Sequence, residues 1–235
     1  MRSWAGYLLA VLVATSALAL GFVSGQWVMA AIALGVALAV ALGAFVESGP
    51  ASAKEVALIA TLTGIAVAGR LLVHPFPGVQ PMTVIVITTG AAFGLRIGVS
   101  VGALGALVSN FFLIQGPWTP WQMVLWALCG AVGALAGSLV RRRLVFALLC
   151  ALLSYGFSTA MDAFYWWYQY PHTWAGLTYS LATGFAFTLA HTLGSFVIAL
   201  AVGPELVRML ERFGRRLHTE IVWDEPPAPG EPVGG

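Results

Sequence analysis

The stretch RRRLVFALLCALLSYGFSTAMDA, residues 141–163, decides the fold of this chain. Three consecutive arginines precede twenty residues that contain a single charged side chain, Asp162. About 20 apolar residues are enough for a helix to cross the hydrocarbon core of a bilayer. Because arginine and lysine accumulate in cytoplasmic loops, the stretch predicts a transmembrane helix that runs outward from a cytoplasmic turn.

The rest of the chain repeats this arrangement. Of its 235 residues, 60% are hydrophobic and 9% are charged, whereas a soluble domain carries about 25% charged residues. A water-soluble fold is therefore excluded, and we expect an all-α, multi-pass protein of the cell membrane with both termini in the cytoplasm. Eight spans place every basic residue except Arg70 on the cytoplasmic side. They cover about residues 5–23, 27–46, 56–73, 82–95, 97–114, 121–140, 144–163 and 177–202.

The spans divide the chain into four segments. Residues 1–46 are expected to form two N-terminal helices, although the first is also compatible with a cleaved signal peptide. A polar, Pro/Gly-broken cytoplasmic linker follows at 47–55, then a six-helix core at 56–204. Residues 205–235 are expected to form a basic amphipathic cytoplasmic tail with a disordered Pro/Gly-rich end. The basic residues flank helices and form no aromatic-interleaved patch, so a nucleic-acid partner is not suggested.

The predicted outer loops carry unusual residues. The segment 74–81 has three prolines in eight residues, which forbids a continuous helix. The outer segments 115–120 and 164–174 are rich in tryptophan and tyrosine. Aromatic residues also anchor helices at the membrane interface, but here they concentrate on one side. This excess suggests an aromatic-lined mouth for a bulky, partly apolar ligand.

Two charged residues in the outer halves of the spans are candidates for ligand binding. Arg70 lies near the outer end of its helix, where it either snorkels to the interface or faces a cavity and binds an anionic or carbonyl group. Asp162 shares one helical face with Ser154 and Ser158. That polar stripe either joins helices, with Arg70 as an ion partner, or contacts a ligand.

Other features favour structural roles. His191 shares a face with Thr188 and Ser195, and a lone histidine is more often a packing group than a catalyst. No residue cluster at metal-ligand spacing accompanies it, so we expect no metal site and no cofactor. Ala53 and Ala57 lie four residues apart at the start of the third span. Such a pair of small residues allows close packing, either within the bundle or against a partner.

Three motifs resemble a known family. They are GRLLVHPFPGVQPMT at 69–83, SNFF at 109–112 and QGPWTPWQM at 115–123. Together they resemble the substrate-binding S component of energy-coupling factor (ECF) vitamin transporters, and they look closest to members assigned to cobalamin or related corrinoids. The resemblance spans about residues 54–216, and the two leading helices lie outside it.

The resemblance implies both an architecture and partners. It implies a six-helix core whose outer pocket is closed by the loop 74–81. It also implies that Ala53 and Ala57 dock onto a transmembrane coupling subunit, which two cytoplasmic ATPases drive. The chain has no Gly-rich phosphate loop of its own, which fits a subunit that relies on separate ATPases for ATP hydrolysis.

We therefore expect a non-catalytic protein that captures a vitamin or related micronutrient outside the cell. A membrane enzyme or its accessory subunit, and a scaffold for other membrane subunits, are the alternatives. The expected substrate-binding residues supply hydrogen bonds or stack on rings. They are Arg70, His74, Gln80, Thr83, Asn110, Gln115, Trp118, Trp121, Asp162 and Trp166.

Overall fold

A computed structural model describes residues 53–217 without a gap, together with twelve scattered helical positions between residues 9 and 44. The two predicted N-terminal spans, most of the linker and the end of the tail lie outside the described residues. Within 53–217 the fold contains helices and no β-strand, which confirms the all-α prediction. The six helices are α1 (Ala53–Leu72), α2 (Pro81–Phe93), α3 (Leu95–Leu113), α4 (Thr119–Leu135), α5 (Arg143–Gln169) and α6 (Trp174–Leu217).

Helices α1, α3, α5 and α6 are long and apolar enough to cross a membrane, whereas α2 and α4 are shorter apolar helices. Connections at 73–80, 114–118 and 170–173 lie at one end of the bundle, which we call the loop end. Gly94, the 3₁₀ turn Gly137–Arg141 and the last turns of α6 lie at the other end, which we call the arginine end.

Helix α2 is the centre of the bundle. It packs against α1, α3, α4 and α6, and eight of its thirteen residues are buried. A helix that is apolar all round is expected in such a position. Its polar side chains Thr88 and Thr89 donate to the carbonyl oxygens of Val84 and Ile85, so their hydroxyl groups are paired inside the apolar core.

Glycines allow α2, α3 and α4 to approach at backbone distance. A Cβ built on Gly130 would lie 2.2 Å from the carbonyl oxygen of Gly98, and one on Gly90 would lie 1.9 Å from the carbonyl oxygen of Gly130. No side chain fits at these crossings, so glycine is required for the helices to approach this closely. By contrast, Gly64 on α1 has no atom within 4 Å of its built Cβ.

The segment predicted as an aromatic outer loop at 164–174 is mostly helical, which corrects the prediction. Helix α5 continues to Gln169, and Tyr170 is extended with φ −110° and ψ 159°. Tyr170 precedes Pro171, and a residue before proline is pushed out of the helical region. The rings of Trp121 and Phe164 pack with centroids 5.7 Å apart, so tertiary contacts support the added turns.

Two further predicted boundaries are wrong. Helix α4 ends at Leu135, and the chain passes into the 3₁₀ turn at Gly137, which has φ +54°. Helix α6 does not end near residue 202 but continues through Pro204. Proline frees the carbonyl of the residue four positions earlier. Arg143 Nη1 donates to that carbonyl, Leu200 O, at 2.8 Å, so the helix continues without a buried orphan group.

Candidate functional site

A cavity of about 530 Å³ lies near the loop end of the bundle. Its roof is the proline-containing connection between α1 and α2, from His74 to Gln80. Its walls come from the ends of α1, α3 and α4 and from the middle of α5, with one residue from α6. The lining comprises Arg70, His74, Phe76, Pro77, Gly78, Val79, Gln80, Asn110, Leu113, Trp118, Gln122, Phe157, Ser158, Met161, Asp162, Tyr165 and Phe187.

The roof is pressed directly onto α6. Gly78 has φ +85°, a backbone conformation that L side chains rarely adopt. A Cβ at this position would lie 2.6 Å from Ala190 Cβ and 2.9 Å from the carbonyl oxygen of Phe187. Pro81 then occupies the first turn of α2, where its missing N–H costs nothing. The turn chemistry of this segment therefore fixes where the roof lies.

Arg70 is buried in the last turn of α1, with 8% of its surface exposed. Its Nη1 donates to Asn110 Oδ1 at 2.9 Å and also to the hydroxyl of Ser109. The guanidinium carbon lies 4.7 Å from the centroid of the Trp126 ring, within cation–π range. These contacts show that Arg70 faces the bundle interior, so the snorkelling alternative is wrong.

Asn110 links the arginine to α4. Its Nδ2 donates to Thr119 Oγ1 and to Gln122 Oε1, each at 2.9 Å. All the polar atoms of this buried amide are thus engaged, and Thr119 in turn donates to Gln115 Oε1 at 2.8 Å. Hydrogen bonds at every polar atom hold the Asn110 amide in one geometry. The network therefore fixes Arg70 at the edge of the cavity.

Asp162 lies on the opposite wall, on α5. Its Oδ2 accepts a hydrogen bond from Thr188 Oγ1 at 3.3 Å, and its backbone carbonyl accepts one from Ser180. A Cβ at Gly184 would lie 2.1 Å from Asp162 Oδ1, so the carboxylate rests directly on the backbone of α6. Asp162 and Arg70 do not form an ion pair among the described residues, so Arg70 is not the ion partner of the stripe. The stripe does join α5 to α6, because Ser154 Oγ donates to Ser195 Oγ at 2.7 Å.

A second polar network lies just beneath the cavity. Trp126 Nε1 donates to Thr83 Oγ1 at 3.1 Å, and Thr83 Oγ1 lies 2.8 Å from His191 Nε2. The other ring nitrogen, Nδ1, lies 2.9 Å from Ser158 Oγ. A hydroxyl can both donate and accept, so the two ring contacts are compatible with either tautomer of His191. Through them the histidine joins Thr83 on α2 to Ser158 on α5.

The structure brings together six of the ten residues expected to bind substrate. Arg70, His74, Gln80, Asn110, Trp118 and Asp162 all line the cavity. Thr83 does not line it, because it is fully buried in the network beneath. Whether any of them binds a substrate stays a prediction.

The other three expected residues lie elsewhere, which corrects their placement. Gln115 is exposed and donates to Leu107 O, outside the cavity. Trp121 and Trp166 line a separate apolar groove between α4 and α5, and Trp166 Nε1 donates to Pro171 O. Because the aromatic segment is helical, its side chains point to different sides instead of converging on one mouth.

Several lining residues were missed by the sequence reasoning. Gln122 lies within the motif 115–123, and Ser158 belongs to the polar stripe of α5, so both carried a usable signal. Tyr165 lies in the aromatic segment 164–174, so it also carried a signal. Phe157, Met161 and Phe187 carried none, because apolar residues of a transmembrane helix look alike whichever side they face.

Ala53 and Ala57 are exposed at the arginine end of α1. No group of three or more His, Cys, Asp or Glu side chains within the described part of the chain could hold a metal ion. Cys129 and Cys150 are buried free thiols.

Comparisons with known proteins give one match. A profile described as "Family of unknown function (DUF6580)" matches residues 50–212, which covers all six helices except residues 213–217 at the end of α6. Neither the curated proteins nor the solved structures gave a match. The match covers more than half of the chain, and the chain therefore belongs to DUF6580, a family of unknown function.

Proposed function

We propose that this protein is the substrate-binding membrane subunit of an ECF-type importer, with a six-helix S-component-like core preceded by two further transmembrane helices. In this proposal it captures a vitamin or related micronutrient at the outer face of the cell membrane. A transmembrane coupling subunit and two cytoplasmic ATPases then drive uptake. The observation that carries the proposal is the cavity near the loop end, because it holds a buried, incompletely paired arginine under a proline-containing roof.

The distribution of charge supports the orientation. Arg96, Arg141 and Arg143 lie at the arginine end, where Arg96 pairs with Glu55 and Arg143 with Glu205. Among residues 53–217, the loop end has no lysine, and its only arginine is the buried Arg70. Under the positive-inside rule the arginine end is cytoplasmic and the cavity opens outward.

The outer surface of α1 supports a docking role for Ala53 and Ala57. Both are exposed, and further along the helix Ala60 and Gly64 are exposed too. Exposed small residues spaced by three or four positions let a second helix approach closely. This is the face on which the coupling subunit is expected to dock.

The alternative of a membrane enzyme has one structural motif in its favour, the hydrogen-bonded pair Ser158 and His191. However, the base of such a pair is normally oriented by a third group beside the cavity, whereas His191 does not line the cavity and its Nε2 lies against the Thr83 hydroxyl. The geometry therefore supports binding better than catalysis.

The proposal is tested by calorimetry on the purified protein with a panel of vitamins that includes cobalamin. The variant Asn110→Ala removes the acceptor that holds Arg70, and we expect it to weaken binding at least tenfold. Phe111→Ala is the matched control, because Phe111 is 71% exposed and adjacent in sequence. The proposal fails if no vitamin binds, or if the protein does not assemble with a coupling subunit and ATPases when they are co-expressed. Assembly without any binding would favour the scaffold alternative.

A further inference from the structure

The cavity contains an arginine with unused donors. A guanidinium has five N–H groups in a fixed fork, and the two on Nη1 go to Ser109 and Asn110. Nε is buried with no partner, and Nη2 has none among the described residues. A buried cation without a carboxylate is costly, and a bidentate anion such as a carboxylate matches the free side of this fork.

The same cavity contains acceptors that are also unused. Gln80 Oε1 is buried with no partner in the roof. Asp162 Oδ2 accepts from Thr188, whereas Oδ1 accepts no hydrogen bond from the described residues. A ligand that fills this space must therefore bring donors to the roof and to the α5 wall, and an acceptor to the α1 wall.

The charges of the cavity are separated and balanced. Arg70 and Asp162 both line it, each from a different wall, and they are not paired with each other. A ligand with only an anionic group leaves Asp162 unpaired, and one with only a cationic group leaves Arg70 unpaired. A ligand that carries both charges pairs both side chains, because opposite charges at a binding site select their complements.

The volume limits the size of this ligand. Pockets for drug-sized molecules hold roughly 300–1,000 Å³, and this cavity holds about 530 Å³. The apolar lining of Trp118, Phe157, Met161 and Phe187 suits ring systems. A compound of one or two rings fits, whereas a corrinoid macrocycle with its attached nucleotide is larger than the space under the roof.

We infer that the cavity takes an amphoteric compound of one or two rings, whose anionic group pairs with Arg70 and whose ammonium or other N–H donor group pairs with Asp162. This inference deepens the proposed function and rests on its premise that the cavity is a ligand site. It names the chemistry of the ligand without requiring that the ligand be imported.

Two matched probe series test the inference by calorimetry on the full-length protein. The first compares tryptophan with indole-3-propionate and tryptamine, and the second compares 4-(aminomethyl)benzoate with 4-methylbenzoate and 4-methylbenzylamine. In at least one series we expect the amphoteric compound to bind at least tenfold more tightly than either singly charged analogue. If in both series it binds no more tightly than its analogues, or shows no binding at millimolar concentration, the inference is overturned.

Variants assign each charge to a side chain. Asp162→Asn should remove the preference for the amphoteric compound over the acid alone, and Arg70→Gln should remove its preference over the amine alone. Arg212→Gln is the control for Arg70→Gln, because Arg212 is exposed at the arginine end. Since Arg70 also holds Ser109 and Asn110, Arg70→Gln risks misfolding; the probe series and Asp162→Asn then decide the question without it.

The outcomes also separate this inference from the proposed function. Vitamin binding that survives both Asp162→Asn and Arg70→Gln would overturn the inference and leave the proposed function standing. Amphoteric probes that bind through both side chains, in a protein that never assembles with a coupling subunit, would support the inference and refute the importer.

Discussion

Replacing Gly78 by alanine tests whether the roof of the cavity is held against α6. Two costs are expected, because Gly78 has φ +85° and because its Cβ would meet Ala190 Cβ at 2.6 Å. A non-glycine residue in a sparsely populated backbone region costs about 1–3 kcal/mol. Forcing an extra methyl group into a packed contact costs about 1–3 kcal/mol more. We therefore expect Gly78→Ala to lower the free energy of unfolding by roughly twice the amount that backbone strain alone would.

Two other glycines separate these costs. Gly94 has φ +88° with no atom within 4 Å of its built Cβ, so Gly94→Ala measures backbone strain alone. Gly64 lies inside α1 with open space around it and no positive φ, so Gly64→Ala should stabilise by about 0.5–1 kcal/mol through helix propensity. Thermal unfolding in detergent is the assay. In a protein of this size 1 kcal/mol shifts the midpoint by roughly 2–4 °C.

The order of the midpoints decides the matter. We expect Gly64→Ala to be highest, Gly94→Ala lower and Gly78→Ala lowest, with vitamin or probe binding lost only in Gly78→Ala. If Gly78→Ala and Gly94→Ala unfold at the same temperature and Gly78→Ala binds ligand normally, the roof does not press on α6. The description of the cavity as a covered site is then wrong.

Three further predictions concern other parts of the fold. Arg143→Leu should lower the unfolding midpoint by roughly 2–4 °C, because it removes the donor to Leu200 O and the half-exposed ion pair with Glu205. The control Arg142→Leu should leave the midpoint unchanged, and an equal effect of the two substitutions would contradict the role of Arg143. Gly184→Ala should weaken binding of the amphoteric probe at least tenfold with little loss of stability, because the new methyl group displaces the flexible carboxylate of Asp162. Calorimetry measures the effect on binding, and thermal unfolding measures the effect on stability. In a chain without native cysteines, single cysteines at His74 and Arg212 should react with a membrane-impermeant maleimide from opposite sides of the cell membrane, and labelling from the same side would refute the orientation.

Much of the fold could be predicted from the sequence because membrane spans depend on simple rules. The observed α1 (Ala53–Leu72) and α3 (Leu95–Leu113) begin and end within three residues of the predicted spans. The prolines at 75, 77 and 81 marked the connection between α1 and α2, since proline removes backbone donors and disfavours helix in the preceding residue. The next turn was predicted at Arg96, between the spans 82–95 and 97–114, and it lies two residues earlier, at Gly94.

The errors at helix ends have different causes. Tyr170 precedes a proline and ends α5, but the aromatic composition before it suggested a loop. Pro204 suggested the end of α6, but a donor from α5, Arg143, satisfies the freed carbonyl. The end of α5 could be predicted by giving proline more weight than composition. The end of α6 could not, because it depends on Arg143, which lies 61 positions before Pro204 in the chain.

The candidate site was partly predictable for a different reason. Arg70 and Asp162 stood out because charges in an apolar helix are expensive and must face protein or a cavity. The tryptophans did not reveal which way they face, since an aromatic ring is equally acceptable toward lipid, protein or a ligand. Trp118 lines the cavity, whereas Trp121, three residues later in the first turn of α4, lines the separate groove between α4 and α5.

The length of α6 has a mechanical consequence. Its 44 residues form a rod about 66 Å long, and the same rod carries Phe187 of the cavity wall and Glu211, which pairs with Arg141 at the far end. Tilting such a rod by ten degrees about its midpoint displaces each tip by about 6 Å in opposite directions. In the proposed importer, a small tilt of α6 at the cavity would therefore shift its tip at the arginine end by about the rise of one helical turn.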